Sequence, residues 1–241
     1  MNSYLPNNLV QRAAVLVLVA ATWPFAPVTG LARKKGTAPD LKEILSRMDD
    51  AAKHLKTVSS SLEYTKVTVL VNDRSTEYGQ LFFHKSKNPE ILLKFEKPDP
   101  KVILFKKNKA EIYLPKTNQI QEYDLERHSG LVQQFLLLGF GTDSNDLKKA
   151  YEVKFVGEEQ LGGDTTAVVE LTPRKESAAA QINKIQLWIS EESWLPLQQK
   201  FFEPSGDYLI TRYSSVRVNR SIPSSTFRIE APEDAKRIKM Q

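Results

Sequence analysis

The residue types that ordinarily carry enzyme chemistry are sparse in this 241-residue chain. Its three histidines, His54, His84 and His128, lie far apart and share no metal-ligand spacing. The absence of cysteine excludes disulfides, thiolate metal sites, thiol catalysis and lipid attachment through an N-terminal Cys. Adjacent carboxylates, Glu158-Glu159 and Glu191-Glu192, fall at expected strand ends or turns, where solvated charge is their ordinary role. There is no G-x-S-x-G elbow, S-x-x-K pair, P-loop, H-E-x-x-H or EF-hand pattern. Gly139-Phe140-Gly141 follows an expected helix, the wrong side for nucleotide binding, and reads as a helix stop. The chain therefore reads as a non-enzyme with no cofactor and no metal.

Charge gives a second line of argument. Residues 85–116 hold nine Lys and four acids, residues 122–164 nine acids and four basic residues, and residues 212–241 seven basic residues and three acids. A sequence pI near 9.2 points toward nucleic acid, but no recognition motif accompanies it, and none is expected as a partner. A solvated rim, or a docking surface for a partner or anionic headgroups, accounts for the basic strips.

The N-terminus speaks to location. Arg12 is the only charged residue before Arg33, an apolar run follows over 13–21, and Pro24, Pro27 and Gly30-Leu31-Ala32 come next. That order matches a secretory signal, and the apolar run is too short for a bilayer that needs about 20 residues. Residues 1–32 are expected as a cleavable signal peptide, 33–39 as a linker, and 40–241 as one domain exported to the periplasm.

Within that domain, Asp40 is a candidate N-cap. Leu41, Ile44, Leu45, Met48, Ala51, Ala52 and Leu55 then form one apolar stripe, which predicts an amphipathic helix. Strands are expected over 62–71, 76–84, 91–95, 102–105, 110–114 and 119–123. A helix is expected over 126–138 and a short turn over 143–150, followed by strands over 151–161, 165–172, 184–190, 195–202, 208–218 and 227–230. Turn signals every 8–12 residues favour an antiparallel meander, and eleven or twelve strands imply a strongly curved sheet, open or nearly closed. The two helices can plug a dry core or lid a cavity for an apolar ligand; periodicity does not separate these.

Two blocks of sequence add to this reading. The first is Asn88-Pro89-Glu90-Ile91-Leu92-Leu93-Lys94-Phe95-Glu96-Lys97-Pro98-Asp99, with Ala110 to Pro115 and Gln119 to Tyr123. The second is Leu187-Trp188-Ile189-Ser190, Trp194 to Gln199, Gly206-Asp207-Tyr208, Tyr213 to Asn219, and Ile222-Pro223 before Phe227-Arg228-Ile229. In this order and spacing, over residues 40–232, the chain resembles the LolA-like periplasmic carriers of outer-membrane lipoproteins. The resemblance implies a mostly β fold with α lids: a half-open antiparallel β-barrel of about 11 strands under an N-terminal helix and a mid-chain helical insertion. It implies a monomeric chaperone that takes an acylated lipoprotein, or another lipid, from an inner-membrane ABC-type release complex and hands it to an outer-membrane acceptor.

On that reading Leu45, Met48, Phe135 and Leu136 line the lid, and Leu93, Phe95, Leu104, Ile112 and Trp188 form the wall of an acyl-chain cavity. Lys94 stands where related carriers often have an Arg, making it the candidate lid latch or headgroup contact. A residue pattern of Pro232-Glu233-Asp234-Ala235 after Phe227 departs from the family's Pro-Gly, so the C-terminal end is expected to differ. The alternative function is a periplasmic signalling or scaffold module whose filled barrel binds protein partners.

Overall fold

In the computed structural model, which describes residues 39–125, 138 and 140–240, Asp40 opens the first helix, α1 (Leu41–His54), by accepting the Glu43 N–H at 2.7 Å. The apolar stripe buries Ile44, Leu45, Met48 and Ala52, while Glu43 and Arg47 pair on the exposed side. The far end is stitched to the sheet. Asn219 donates to the His54 carbonyl at 2.9 Å and accepts the Lys56 N–H at 2.7 Å, and Lys85 donates to the Ala52 carbonyl. A second helix, α2 (Ser144–Ala150), is held against α1 by Asp49, whose carboxylate accepts the Ser144 N–H and hydroxyl at 2.8 and 2.6 Å. The sequence marks this segment as a short turn capped by Asp143, and Asp143 does cap it. The expected signal segment, the helix over 126–138 apart from Leu138, His128, Phe135 and Leu136 lie outside the described residues.

Among the described residues, twelve strands make one sheet. They are β1 (Thr57–Thr68), β2 (Asp73–His84), β3 (Glu90–Lys97), β4 (Lys101–Lys106), β5 (Lys109–Leu114), β6 (Gln119–Asp124), β7 (Tyr151–Leu161), β8 (Asp164–Pro173), β9 (Lys184–Ser190), β10 (Pro196–Phe202), β11 (Tyr208–Val218) and β12 (Lys236–Met240). Their spatial order is β12-β6-β5-β4-β3-β2-β1-β11-β10-β9-β8-β7. Two antiparallel meanders, β1–β6 and β7–β11, thus join through the β1/β11 pair, and β7 and β12 remain as open edges among the described residues. The mostly β, unclosed sheet with an N-terminal and a mid-chain helix is the architecture the sequence suggests.

Three details differ from the sequence expectation. Strand β1 starts at Thr57 and ends at Thr68, because Thr68 pairs with Asp73 and the turn is made by Val69-Leu70-Val71-Asn72. Asn72 takes the left-handed conformation (φ 50°) that closes such a turn. The strand expected over 227–230 is absent. Ser224–Thr226 forms a 3-10 turn and Phe227 inserts between Leu92 and Leu104. Strand β12 comes later and pairs parallel to β6, held by Arg237 bridging Glu111 and Glu122 at 2.8 and 2.5 Å.

Alternation divides the sheet into two faces. The inner face, under α1, carries two dry clusters. One joins Ile44, Leu45, Met48, Leu138 and Leu147 to Val169, Leu171, Ile185, Leu187 and Ile189. The other joins Leu55, Phe140 and Leu195 to Leu62, Leu81, Phe83, Ile91, Leu93 and Phe95. The outer face of β2–β4 is covered by residues of the 219–235 segment, whose Phe227, Ile222 and Ile229 pack on Phe82, Leu92, Val102 and Leu104. Gly79 lets β2 and β3 approach closely: a Cβ there would sit 2.2 Å from the Lys94 carbonyl oxygen.

Candidate ligand cavity

Between the two inner clusters lies a cavity of about 450 Å³, within the 300–1,000 Å³ range typical of small-molecule sites. Cross-strand register builds its wall. Leu81 faces Leu93, which faces Ile103; Gly79 faces Phe95, which faces Lys101. On the other side Leu62 faces Tyr213, Tyr64 faces Thr211, and Phe201 faces Leu209. Ile182, from the segment before β9, completes the apolar lining.

Polar groups are few. Gln199, 2% exposed, donates to the Leu138 carbonyl at 2.6 Å and so ties the wall to the inner cluster. Tyr213 stacks edge-on against Phe140 at 4.9 Å, and full burial pushes its phenol pKa upward. The Tyr64 ring meets Phe95 edge-on at 6.2 Å; burial first, then the neighbouring Glu77 and Glu203 charges, raise its pKa. Both phenols therefore stay neutral over the physiological range.

The charged rim is one ion pair. Lys101 donates to both Glu77 oxygens at 2.7 and 2.8 Å, and its ammonium lies 4.7 Å from the Phe95 ring centre. Paired in this way, neither charge needs a ligand to satisfy it. An apolar wall with a neutralised rim suits a long hydrocarbon better than a polar metabolite.

The sequence-derived candidates divide. Leu93 and Phe95 line the cavity. Leu45 and Met48 lie on the buried face of α1, in the first dry cluster and not in the lining. Ile112 faces Ile103 across β4/β5, one strand beyond the wall. Leu104 and Trp188 are corrections: both project from the outer face. Leu104 pairs with Leu92 and packs against Phe227. Trp188 neighbours the inward Leu187 and donates its indole N–H to Glu159 at 2.7 Å. Lys94 is exposed and pairs in register with Gln80 and Val102, on the outer face, so the rim cation is Lys101 instead.

Sequence reasoning missed Tyr64, Glu77, Lys101 and Tyr213. The alternation of β3, extended across β2 and β4 by register, is the signal that reaches Lys101 and Ile103. Neither described histidine lines the cavity. His54 contacts the Asp50 carbonyl within α1, and His84 lies 3.2 Å from Glu90. No group of three or more metal-capable side chains occurs among the described residues. No described helix is long and apolar enough to cross a membrane.

Residues 91–221 match the model of a family described as "Uncharacterized protein". No curated protein matches the sequence. Among solved structures, MucB superposes with a TM-score of 0.52 at 13% identity, over 79% of this chain and 62% of MucB. An uncharacterized conserved protein from Thermus thermophilus gives 0.53 at 12% identity, over 83% of this chain and 98% of that one. A putative outer membrane lipoprotein-sorting protein domain from Vibrio parahaemolyticus superposes more loosely, 0.43 at 14% identity, over 77% and 94%. At these identities the likeness to MucB and to the Thermus protein is one of fold, and the chain spans about 62% of the length of MucB.

Proposed function

The chain belongs to the family of proteins described as uncharacterized whose model matches residues 91–221, and from that premise we propose that it is a periplasmic, non-enzymatic carrier that shields the acyl chains of a lipoprotein or another lipid. The observation that supports this reading is the mainly apolar cavity of about 450 Å³ between two dry clusters, whose two charged residues, Lys101 and Glu77, neutralise each other. In the same reading residues 1–32 export the chain. It works as a monomer without a cofactor, an ABC-type complex of the inner membrane loads it, and an acceptor at the outer membrane unloads it.

The energetics fit the task. At about 0.8 kcal/mol per buried CH₂, exposing one sixteen-carbon chain to water costs on the order of 12 kcal/mol, so unaided transfer is negligible. A carrier must nevertheless bind well short of the non-covalent ceiling of roughly −20 kcal/mol, or it never releases. A wall built on an unclosed sheet can open to let the ligand leave.

Native mass spectrometry of protein expressed with its own N-terminus, followed by lipid extraction, tests the reading. Recovered lipid or acylated protein, together with binding of a fluorescent fatty acid that Ile103→Trp abolishes by filling the cavity, is the expected result. Thermal melting of Ile103→Trp checks that the variant is folded. A protein that purifies empty and binds no fatty acid removes the carrier reading and leaves the partner-binding module.

A further inference from the structure

The β1–β2 turn is built from residues that turn geometry does not ask for. Two-to-four-residue hairpin loops favour Gly, Asn, Asp, Ser and Pro. Here Asn72 supplies the left-handed position, and the other three places are Val69, Leu70 and Val71, which are 52%, 93% and 67% exposed. Singly exposed apolar residues are ordinary, but three in succession at an apex form a contiguous patch.

The apex is held in place. Twelve register pairs brace β1 against β2, the Asn72 N–H donates to the Val69 carbonyl at 3.1 Å, and the Val69 N–H donates to Asp207 at 2.9 Å from the β10–β11 turn. Lys66 and Arg74, both exposed and without an ion-pair partner among the described residues, flank the apex, with Asp73 beside them. Tyr78, half exposed, stands further along β2.

We propose that Val69-Leu70-Val71 inserts into the surface of a phospholipid bilayer and so presents the cavity to the membrane. Two observations favour lipid over a protein partner. Protein hot spots are rich in Trp, Tyr and Arg and poor in Leu and Val, whereas aliphatic side chains enter hydrocarbon favourably. The apex also lies at the Glu77–Lys101 end of the cavity: Glu77 is four residues along β2 from Asp73. At ~3.4 Å per residue that is about 14 Å, close to half of the ~30 Å hydrocarbon core, which is one acyl-chain length. The choice of a bilayer as the occupant rests on the carrier reading; the unusual turn does not.

The absence of cysteine makes the test direct. Leu70→Cys, labelled with an environment-sensitive fluorophore, is mixed with vesicles of phosphatidylethanolamine and phosphatidylglycerol, and Glu158→Cys on β7 serves as the control site. A blue shift at position 70 alone, with vesicle binding about tenfold weaker or more in the otherwise native Leu70→Asp chain, is expected from losing one leucine's apolar contact. No shift on vesicles overturns the proposal, and so does a shift that depends on protein concentration without them, which marks contact with a second copy. Fatty-acid binding measured on the same Leu70→Asp protein separates the two ideas. Retained binding with no vesicle contact in the labelled protein refutes the docking apex alone, and vesicle insertion by a chain that binds no fatty acid refutes the carrier alone.

Discussion

Removing either partner of the Lys101–Glu77 pair should cost about as much as removing both. The two side chains are 26% and 20% exposed and meet at 2.7 Å. At an effective dielectric of ~20 such a pair attracts by about 6 kcal/mol, most of which desolvation of the two groups offsets. The net worth expected of a charge-assisted, doubly hydrogen-bonded pair in this position is about 2 kcal/mol. Glu77→Gln leaves the ammonium over Phe95 without its counter-charge, and Lys101→Met leaves the carboxylate beside Tyr64, which its charge already perturbs. Each single variant should lose about 2 kcal/mol, roughly a 1 M drop in urea midpoint. The double variant should lose about the same amount, giving a coupling of about 2 kcal/mol in a double-mutant cycle. Its rim is now wholly uncharged, so its affinity for a fluorescent fatty acid should be retained. A coupling below about 0.5 kcal/mol would show a solvent-screened pair and refute the dry rim. A tenfold or greater loss of fatty-acid affinity in Lys101→Met would show that the cation contacts the ligand's carboxylate, contrary to the neutralised rim.

Gly79→Ala should destabilise the fold by about 2 kcal/mol or more in urea denaturation, since the added methyl meets the Lys94 carbonyl at 2.2 Å, and Gly162→Ala, in open space at positive φ, should cost less. Asp49→Ala should cost about 2 kcal/mol and speed amide exchange across α2, because Ser144 loses acceptors for both its N–H and its hydroxyl. The Lys184 hydrogen bond, then Gln186 and the Lys184 charge, hold the Glu170 pKa below its ordinary 4.5. A depressed folded-state value means stability present above 4.5 and lost as pH falls through the folded pKa; Glu170→Gln should flatten that acid-side slope in pH-dependent melts. Arg237→Ala should raise amide exchange in β12 with little change in global stability, as the Glu111 and Glu122 bridges are exposed.

How far the sequence could be read depended on whether one face or both faces of a strand are covered. In β3 the order Leu93, Lys94, Phe95, Glu96 alternates, and the inward assignment of Leu93 and Phe95 follows from it directly. In β4, Val102-Ile103-Leu104-Phe105 is apolar throughout because Phe227 covers the outer face, so alternation could not tell Ile103 from Leu104. In β9 the polar Gln186 and Ser190 share a face with Trp188, so alternation points Leu187 inward and Trp188 outward; burial of Trp188 on that face is what makes it look like a wall residue. The apolar Val69-Leu70-Val71 read as the end of a strand because hydrophobicity ordinarily reports burial, and here it does not. Helix α1 was legible to the residue of its cap, since one stripe on one face carries all its burial. The parallel pairing of β12 with β6 leaves no local trace: a run of basic residues at 236–239 has no periodicity that names a partner more than a hundred positions away.

The β1–β6 meander has two edges, and both are closed by residues that come much later in the chain, β11 on β1 and β12 on β6. Its six strands pair with their immediate neighbours and can form early, yet unprotected edges of this kind recruit other chains until residues 208–240 arrive. If the chain is exported as proposed, threaded N-terminus first through a narrow pore, that order matters. Premature closure of the meander would jam transit, and a meander emerging on the far side waits unsealed for residues 208–240. On the proposed exported role, productive maturation is a race between the arrival of β11 and β12 and capture of the bare edges, so the rate of transit bears on yield alongside equilibrium stability.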